Sequence, residues 1–172
     1  MRDALPRFRP VKILRALEEH GVRYVVIGNL GAVLHGSSAF TGDLDICPAR
    51  DPDNLARLAD ALRGLRPRLR DEVDLFDPVG ERPMRCEAGF LEQATTLNLA
   101  TRFGDLDLVF VPDGTRGHDD LAAGAVRYEL AEGLNVSVAS LADIIRSKGA
   151  ADREKDRAAL PALRALLAKS QE

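Results

Sequence analysis

Apolar positions along the chain fall into short, well-punctuated runs. Val11, Leu14 and Leu17 recur at helical spacing, with Pro10 ahead of them and Gly21 as a stop, which predicts a helix over Val11–His20. Val22-Arg23-Tyr24-Val25-Val26-Ile27 is β-branched and aromatic and ends in Gly28, the pattern of a buried strand. Asn29–His35 has the length of two helical turns, closed by Gly36. Asp43-Leu44-Asp45-Ile46-Cys47 alternates, so Asp43, Asp45 and Cys47 share one face of a second strand that Pro48 should stop.

Asp51 is a helix cap, followed by Pro52 at the first helical position. Leu55, Leu58, Ala59 and Leu62 then form one stripe that Gly64 should end. Residues 66–86 carry mixed charge and no period, and are expected to be loop or irregular. Thr96–Thr101 and Asp105–Phe110, about the turn Arg102-Phe103-Gly104, predict a hairpin. A short helix over Gly117–Gly124, strands near Val126–Leu130 and Leu134–Val138, and a Ser140-capped helix through Lys148 follow. A last helix should begin near Asp152, kinked or divided by Pro161.

This order of elements implies an α/β (α+β) chain: a small mixed sheet with helices packed on it. A length of 172 residues fits one domain, since domains run to roughly 100–200 residues. The expected division is a core over about 10–139 and a helical segment over about 140–169. A chain 45% hydrophobic and 30% charged is not disordered. It has no apolar stretch near the roughly 18 residues a membrane span needs, and Met1–Pro6 lacks the apolar core of a signal peptide. A cytoplasmic protein is therefore expected. A net charge of −3 argues against a dedicated nucleic-acid coat. Cys47 and Cys86 make neither a zinc ligand set nor a disulfide framework and read as small core residues. His20, His35 and His118 read as helix-end or loop residues.

Three features carry chemistry. Gly28-Asn29 lies where a strand turns into a helix, and a helix start offers unpaired N–H groups to a phosphate. Asp43-x-Asp45 puts two carboxylates on one strand face, able to hold divalent cations in common. Asp107, with Asp105 beside it on the same face, could complete an oxygen set suited to Mg²⁺. Two such ions, about 3.5–4 Å apart, would serve an in-line displacement. Against this stands the plainer reading of a solvated strand face with alternating polarity.

The pattern resembles the nucleotidyltransferases of the DNA polymerase β superfamily: a hydrophobic strand and Gly-Gly or Gly-Ser, then Asp-hydrophobic-Asp-hydrophobic. Here it runs Val25-Val26-Ile27-Gly28-Asn29, then Thr41-Gly42-Asp43-Leu44-Asp45-Ile46, then Phe103-Gly104-Asp105-Leu106-Asp107-Leu108. Ser147-Lys148-Gly149-Ala150-Ala151-Asp152-Arg153-Glu154-Lys155-Asp156 resembles the Lys-x-Ala-x-x-Arg-x-Lys-Asp segment of a branch of small stand-alone bacterial and archaeal enzymes. That branch includes toxins of abortive-infection and toxin–antitoxin systems. The likeness leaves out residues 66–95.

The resemblance implies a nucleotidyltransferase fold with C-terminal helices and Asp43, Asp45 and Asp107 as catalytic metal ligands for Mg²⁺ or Mn²⁺. It also implies Gly28, Asn29, Ser37, Thr41 and Lys148 as nucleotide-binding residues. The substrates would be an NTP and a hydroxyl acceptor (tRNA, protein or small molecule), with a cognate toxin or antitoxin as partner and no membrane. Asn29 stands where the family prefers Gly or Ser, and Ala39 where many relatives carry arginine. Both leave room for a second reading, a catalytically weakened nucleotide-binding or partner-binding subunit. Lys155 is expected at the surface, and Arg153 in a salt bridge. A glycosyltransferase would need a longer region before the motif than 42 residues. A haloacid-dehalogenase phosphatase would want a small hydroxyl residue where Ile46-Cys47-Pro48 stands.

Overall fold

The computed structural model describes residues 8–70 and 81–172. Met1–Pro6, and the part of the 66–86 stretch over 71–80, lie outside the described residues. The chain runs α1 (Pro10–Glu19), β1 (Tyr24–Ile27), α2 (Gly28–Leu34), β2 (Asp43–Pro48), α3 (Pro52–Leu65), β3 (Arg68–Arg70) and β4 (Glu81–Pro83). It continues through α4 (Ala88–Gln93), β5 (Thr96–Thr101), β6 (Gly104–Val109), α5 (His118–Gly124), β7 (Val126–Ala131), β8 (Leu134–Val138), α6 (Leu141–Ala151) and α7 (Glu154–Lys169).

The strands form one mixed sheet in the order β4-β3-β5-β6-β2-β1-β8-β7. The pairs β2·β6 and β1·β8 are parallel and the rest antiparallel. Strand alternation divides its two faces. Tyr24, Val26, Leu44 and Ile46 join the larger core with Leu14 and Leu17 of α1, Leu55, Leu58 and Leu62 of α3, and Leu91 of α4. Val25 and Cys47 face the other way, onto Ala32 of α2, Leu121 of α5, Leu141 and Ile144 of α6 and Leu163 of α7. The sheet is therefore covered on both faces, and the β2 face that carries Asp43 and Asp45 is the α2/α6/α7 side.

Several expectations are corrected. Residues 66–86 are not all irregular, because β3 and β4 lie within them. Each has only three residues, too few for a period to show. Gly64 does not end α3. The helix runs on to Leu65, and Arg66 caps it in the left-handed region at φ 52°, a place glycine usually takes. Pro48 does end β2, as expected, while pairing with Tyr24 as its last residue. The ladder to β6 reaches only Ile46, so Pro48 has a strand on one side only, where its missing N–H is tolerated.

Nor does Pro161 divide the last helix, which is continuous from Glu154 to Lys169. The proline and Arg157, whose carbonyl it deprives of an amide, are both exposed, so water can bond that carbonyl. Cys47 is buried and Cys86 partly so, both as free thiols. His35 is more than a helix-end residue. Its Nε2 lies 2.8 Å from the Ala139 carbonyl and its Nδ1 2.9 Å from the Tyr128 hydroxyl. The carbonyl can only accept, so Nε2 carries the hydrogen and α2 is tied to the β7–β8 hairpin.

Candidate active site

The site is assembled at one end of the sheet's two central parallel strands. In the β2·β6 register Asp43 faces Asp105 and Asp45 faces Asp107. One carboxylate oxygen from each of Asp43, Asp45 and Asp107 lies within 4.8 Å of the others. The three residues predicted as ligands are thus brought together. An all-oxygen set of this kind suits hard cations such as Mg²⁺ or Mn²⁺.

Gly28 sits against this cluster as the first residue of α2, at φ +65°. A Cβ there would run into the Asp45 carboxylate, so any other residue would have to push that carboxylate aside. Burial first, and then the charges of Asp43 and Asp107, push the Asp45 carboxyl up to about 7, while Lys148 and Lys155 pull it down. Burial also raises the Asp107 carboxyl, against the charge and hydrogen bond of Arg70.

A cavity of about 380 Å³ opens over these residues. Its wall includes Gly28, Asn29 and Ala39 from the α2 side, Thr96 and Asn98 from β5, and Lys148, Arg153 and Lys155 from the C-terminal helices. Lys148 donates to Asn29 Oδ1 at 3.0 Å and to Asp156 Oδ1 at 3.4 Å, and its side chain is only 12% exposed. Arg153 donates from Nε to Asp156 Oδ2 at 2.6 Å, the salt bridge expected of it, while also lining the cavity. Lys155 is exposed, as expected, yet also reaches the cavity wall.

Ser37 and Thr41 stand apart from that wall. The Ser37 hydroxyl accepts from the Ala39 amide at 3.2 Å. Thr41 donates to the Asp43 carbonyl at 2.9 Å, bracing the entry to β2.

Two residues of the site escaped the sequence reading. Asp156 is fully buried beneath Lys148 and Arg153. In the sequence it is only the last residue of the Ser147–Asp156 segment. Arg70, at the end of β3, donates to Asp105 Oδ2 at 2.9 Å and Asp107 Oδ1 at 2.7 Å. It lies in a stretch with no pattern, and its role depends on a strand pairing that no local signal announces.

A mixed sheet that carries Asp-x-Asp on one central strand and a third aspartate on its parallel neighbour, with helices on both faces, has the nucleotidyltransferase fold. Among solved structures, the chain is similar to the lincosamide antibiotic adenylyltransferase LnuA in its lincomycin-bound form. The TM-score is 0.58 at 16% identity, covering 91% of this chain and 95% of that one. No family model matches the sequence, and no curated protein matches it. Among the described residues no helix is long and apolar enough to cross a membrane.

Proposed function

We propose that this chain is a divalent-metal-dependent nucleotidyltransferase, moving a nucleoside monophosphate from an NTP to a hydroxyl acceptor. The observation that carries this reading is the convergence of Asp43, Asp45 and Asp107 oxygens within 4.8 Å of one another, against a glycine that leaves them room. Those three residues would hold Mg²⁺ or Mn²⁺. When bound, the cations would polarise the acceptor hydroxyl and offset charge on the departing pyrophosphate.

The chain's own residues supply the rest. Gly28 and the amides after it would receive the triphosphate, with Asn29 lining that side of the pocket and Ser37 and Thr41 bracing the chain between α2 and β2. Lys148, steered by Asn29 and Asp156, would neutralise phosphate charge as the α-phosphorus takes the acceptor oxygen and releases the bond to the β-phosphate. Asp107 borders the polar Asn98 and Thr96 of β5 and would receive the acceptor's proton. The whole chain would act as one unit, with the helices of 140–169 closing the nucleotide side of the core. It would draw on the cytoplasmic NTP pool.

The acceptor would be a small molecule, a tRNA or a protein. That LnuA is a lincosamide antibiotic adenylyltransferase supports trying small molecules first. The likeness of the Lys148–Asp156 segment to the stand-alone branch supports a toxin–antitoxin setting, with a cognate partner. The test is Mg²⁺-dependent transfer of label from each α-labelled NTP to these acceptors. Wild type should transfer, and Asp43→Asn should lose transfer. Equal transfer by Asp43→Asn would reject the assignment.

A second reading, a nucleotide-binding or partner-binding subunit, is favoured by one observation. Lys148 is already engaged by Asn29 and Asp156, and Ala39 adds no cation to the pocket. Calorimetry with NTP and Mg²⁺ separates the two, since an absence of binding at millimolar nucleotide would favour the partner-binding role.

A further inference from the structure

β6 offers two aspartates on one face, each in register with a member of the Asp43-x-Asp45 pair, yet only Asp107 joins the carboxylate cluster. Arg70 reaches both of them from β3, across β5. One terminal nitrogen of its fork goes to each: Nη1 to Asp105 Oδ2 and Nη2 to Asp107 Oδ1. Its Nε is buried without a partner among the described residues, so the guanidinium is held by what its two ends grip. Asp107 is the more enclosed of the two acids, its side chain 15% exposed against 38% for Asp105.

We infer that Arg70 is a positioning residue for Asp107. By holding Oδ1 it fixes the way the Asp107 carboxylate is turned towards the cluster. By gripping Asp105 it also holds that carboxylate towards β3 and away from the cluster. This rests on the metal-dependent reading of the site above. The physical reasons are two. A planar fork fixes two carboxylates relative to each other, as an ammonium cannot. A positive charge beside four aspartates also lowers the site's attraction for cations, because the number of ligand charges tunes affinity. Arg70 thus trades metal affinity for a fixed geometry.

The two effects separate by experiment. Mn²⁺ binding, followed by electron paramagnetic resonance of the free ion, requires no acceptor. Arg70→Ala should bind Mn²⁺ about three- to tenfold more tightly, because a repelling charge is gone. Its kcat for pyrophosphate release from the NTP used in the transfer assay should nevertheless fall about 10- to 100-fold, the usual cost of losing an outer partner of a metal ligand. Arg70→Lys keeps the charge but not the fork. Its Mn²⁺ affinity should stay within about twofold of wild type while kcat still falls. A merely structural role would weaken metal binding and turnover together.

Unchanged or weaker Mn²⁺ binding in Arg70→Ala, or full kcat in Arg70→Lys, would overturn the inference. Should Arg70→Ala fail to fold, Arg70→Gln makes the same charge comparison. Asp43→Asn tells the two levels apart. If it binds Mn²⁺ as wild type does, the three-aspartate site itself is wrong, and Arg70 has nothing to position. If it loses Mn²⁺ while Arg70→Ala behaves as wild type, only the role of Arg70 is lost.

Discussion

The backbone of Gly28 and the carboxylate of Asp45 occupy adjoining space: a Cβ on Gly28 would overlap Asp45 Oδ2 and lie 2.8 Å from its Cγ. Gly28 also opens α2 at φ +65°, a conformation that costs a side-chain-bearing residue roughly 1–2 kcal/mol. Gly28→Ala should therefore strain the turn and displace a carboxylate on which the site depends. Because that carboxylate is the end of a movable side chain, the chain should still fold, with Tm lowered by roughly 2–8 °C for a loss of about 1–2 kcal/mol. Nucleotide transfer should fall by at least about 100-fold, since misplacement on the ångström scale is enough for that. Thermal melts and label transfer measure the two separately.

Three clustered carboxylates also make the metal-free protein less stable than it could be. Asp45 is the member most affected, by its burial and by its two acidic neighbours. Asp45→Asn removes one charge and keeps the shape. In chelator-treated samples at pH 8 it should raise Tm by about 2–4 °C, as about 1 kcal/mol does in a chain of this size. Added Mg²⁺ should raise the Tm of wild type and leave Asp45→Asn nearly unmoved. Scanning calorimetry with and without Mg²⁺ gives all four values, and equal metal responses would count against the shared site.

Asp156 predicts the acid side of the stability profile. Burial alone would raise its carboxyl, but the hydrogen bond and charge of Arg153, with Lys148 adding to them, outweigh it and hold the group below the usual carboxylate range. The folded value is depressed, so the unfolded chain binds the proton more readily. The contribution to stability is full above the unfolded value near ~4 and is lost as pH falls through the folded value. Urea unfolding midpoints should drop below about pH 4 in wild type, and the drop should be shallower in Asp156→Asn. Asp156→Ala at pH 7 takes the buried carboxylate from Lys148, only 12% exposed, while the mostly exposed Arg153 stays hydrated, and should cost about 1–3 kcal/mol.

Much of this molecule is local in origin. The run Tyr24–Ile27 before Gly28, the alternation Asp43–Cys47, the cap at Asp51 and the hairpin of Thr96–Thr101 with Gly104–Val109 all depend on neighbours a few residues away, so they are legible in the sequence. The same holds for the face on which Asp43, Asp45 and Asp107 lie, since strand alternation is a property of the backbone. Pro161 breaks its expectation because the rule it obeys concerns which neighbour needs the missing N–H. That depends on which side of α7 meets water.

The sequence by itself determined the types of element, the faces of the strands and the carboxylates proposed to hold a cation. These follow from steric and hydrogen-bonding preferences that act within a few residues. The tertiary structure decided which elements are neighbours. It placed Asp45 beside Asp107, set Arg70 across both acids of β6, and buried Asp156 under Lys148 and Arg153. Those contacts join residues far apart in the chain or turned inward by packing, and their energies are settled only when the whole sheet and its covering helices come together.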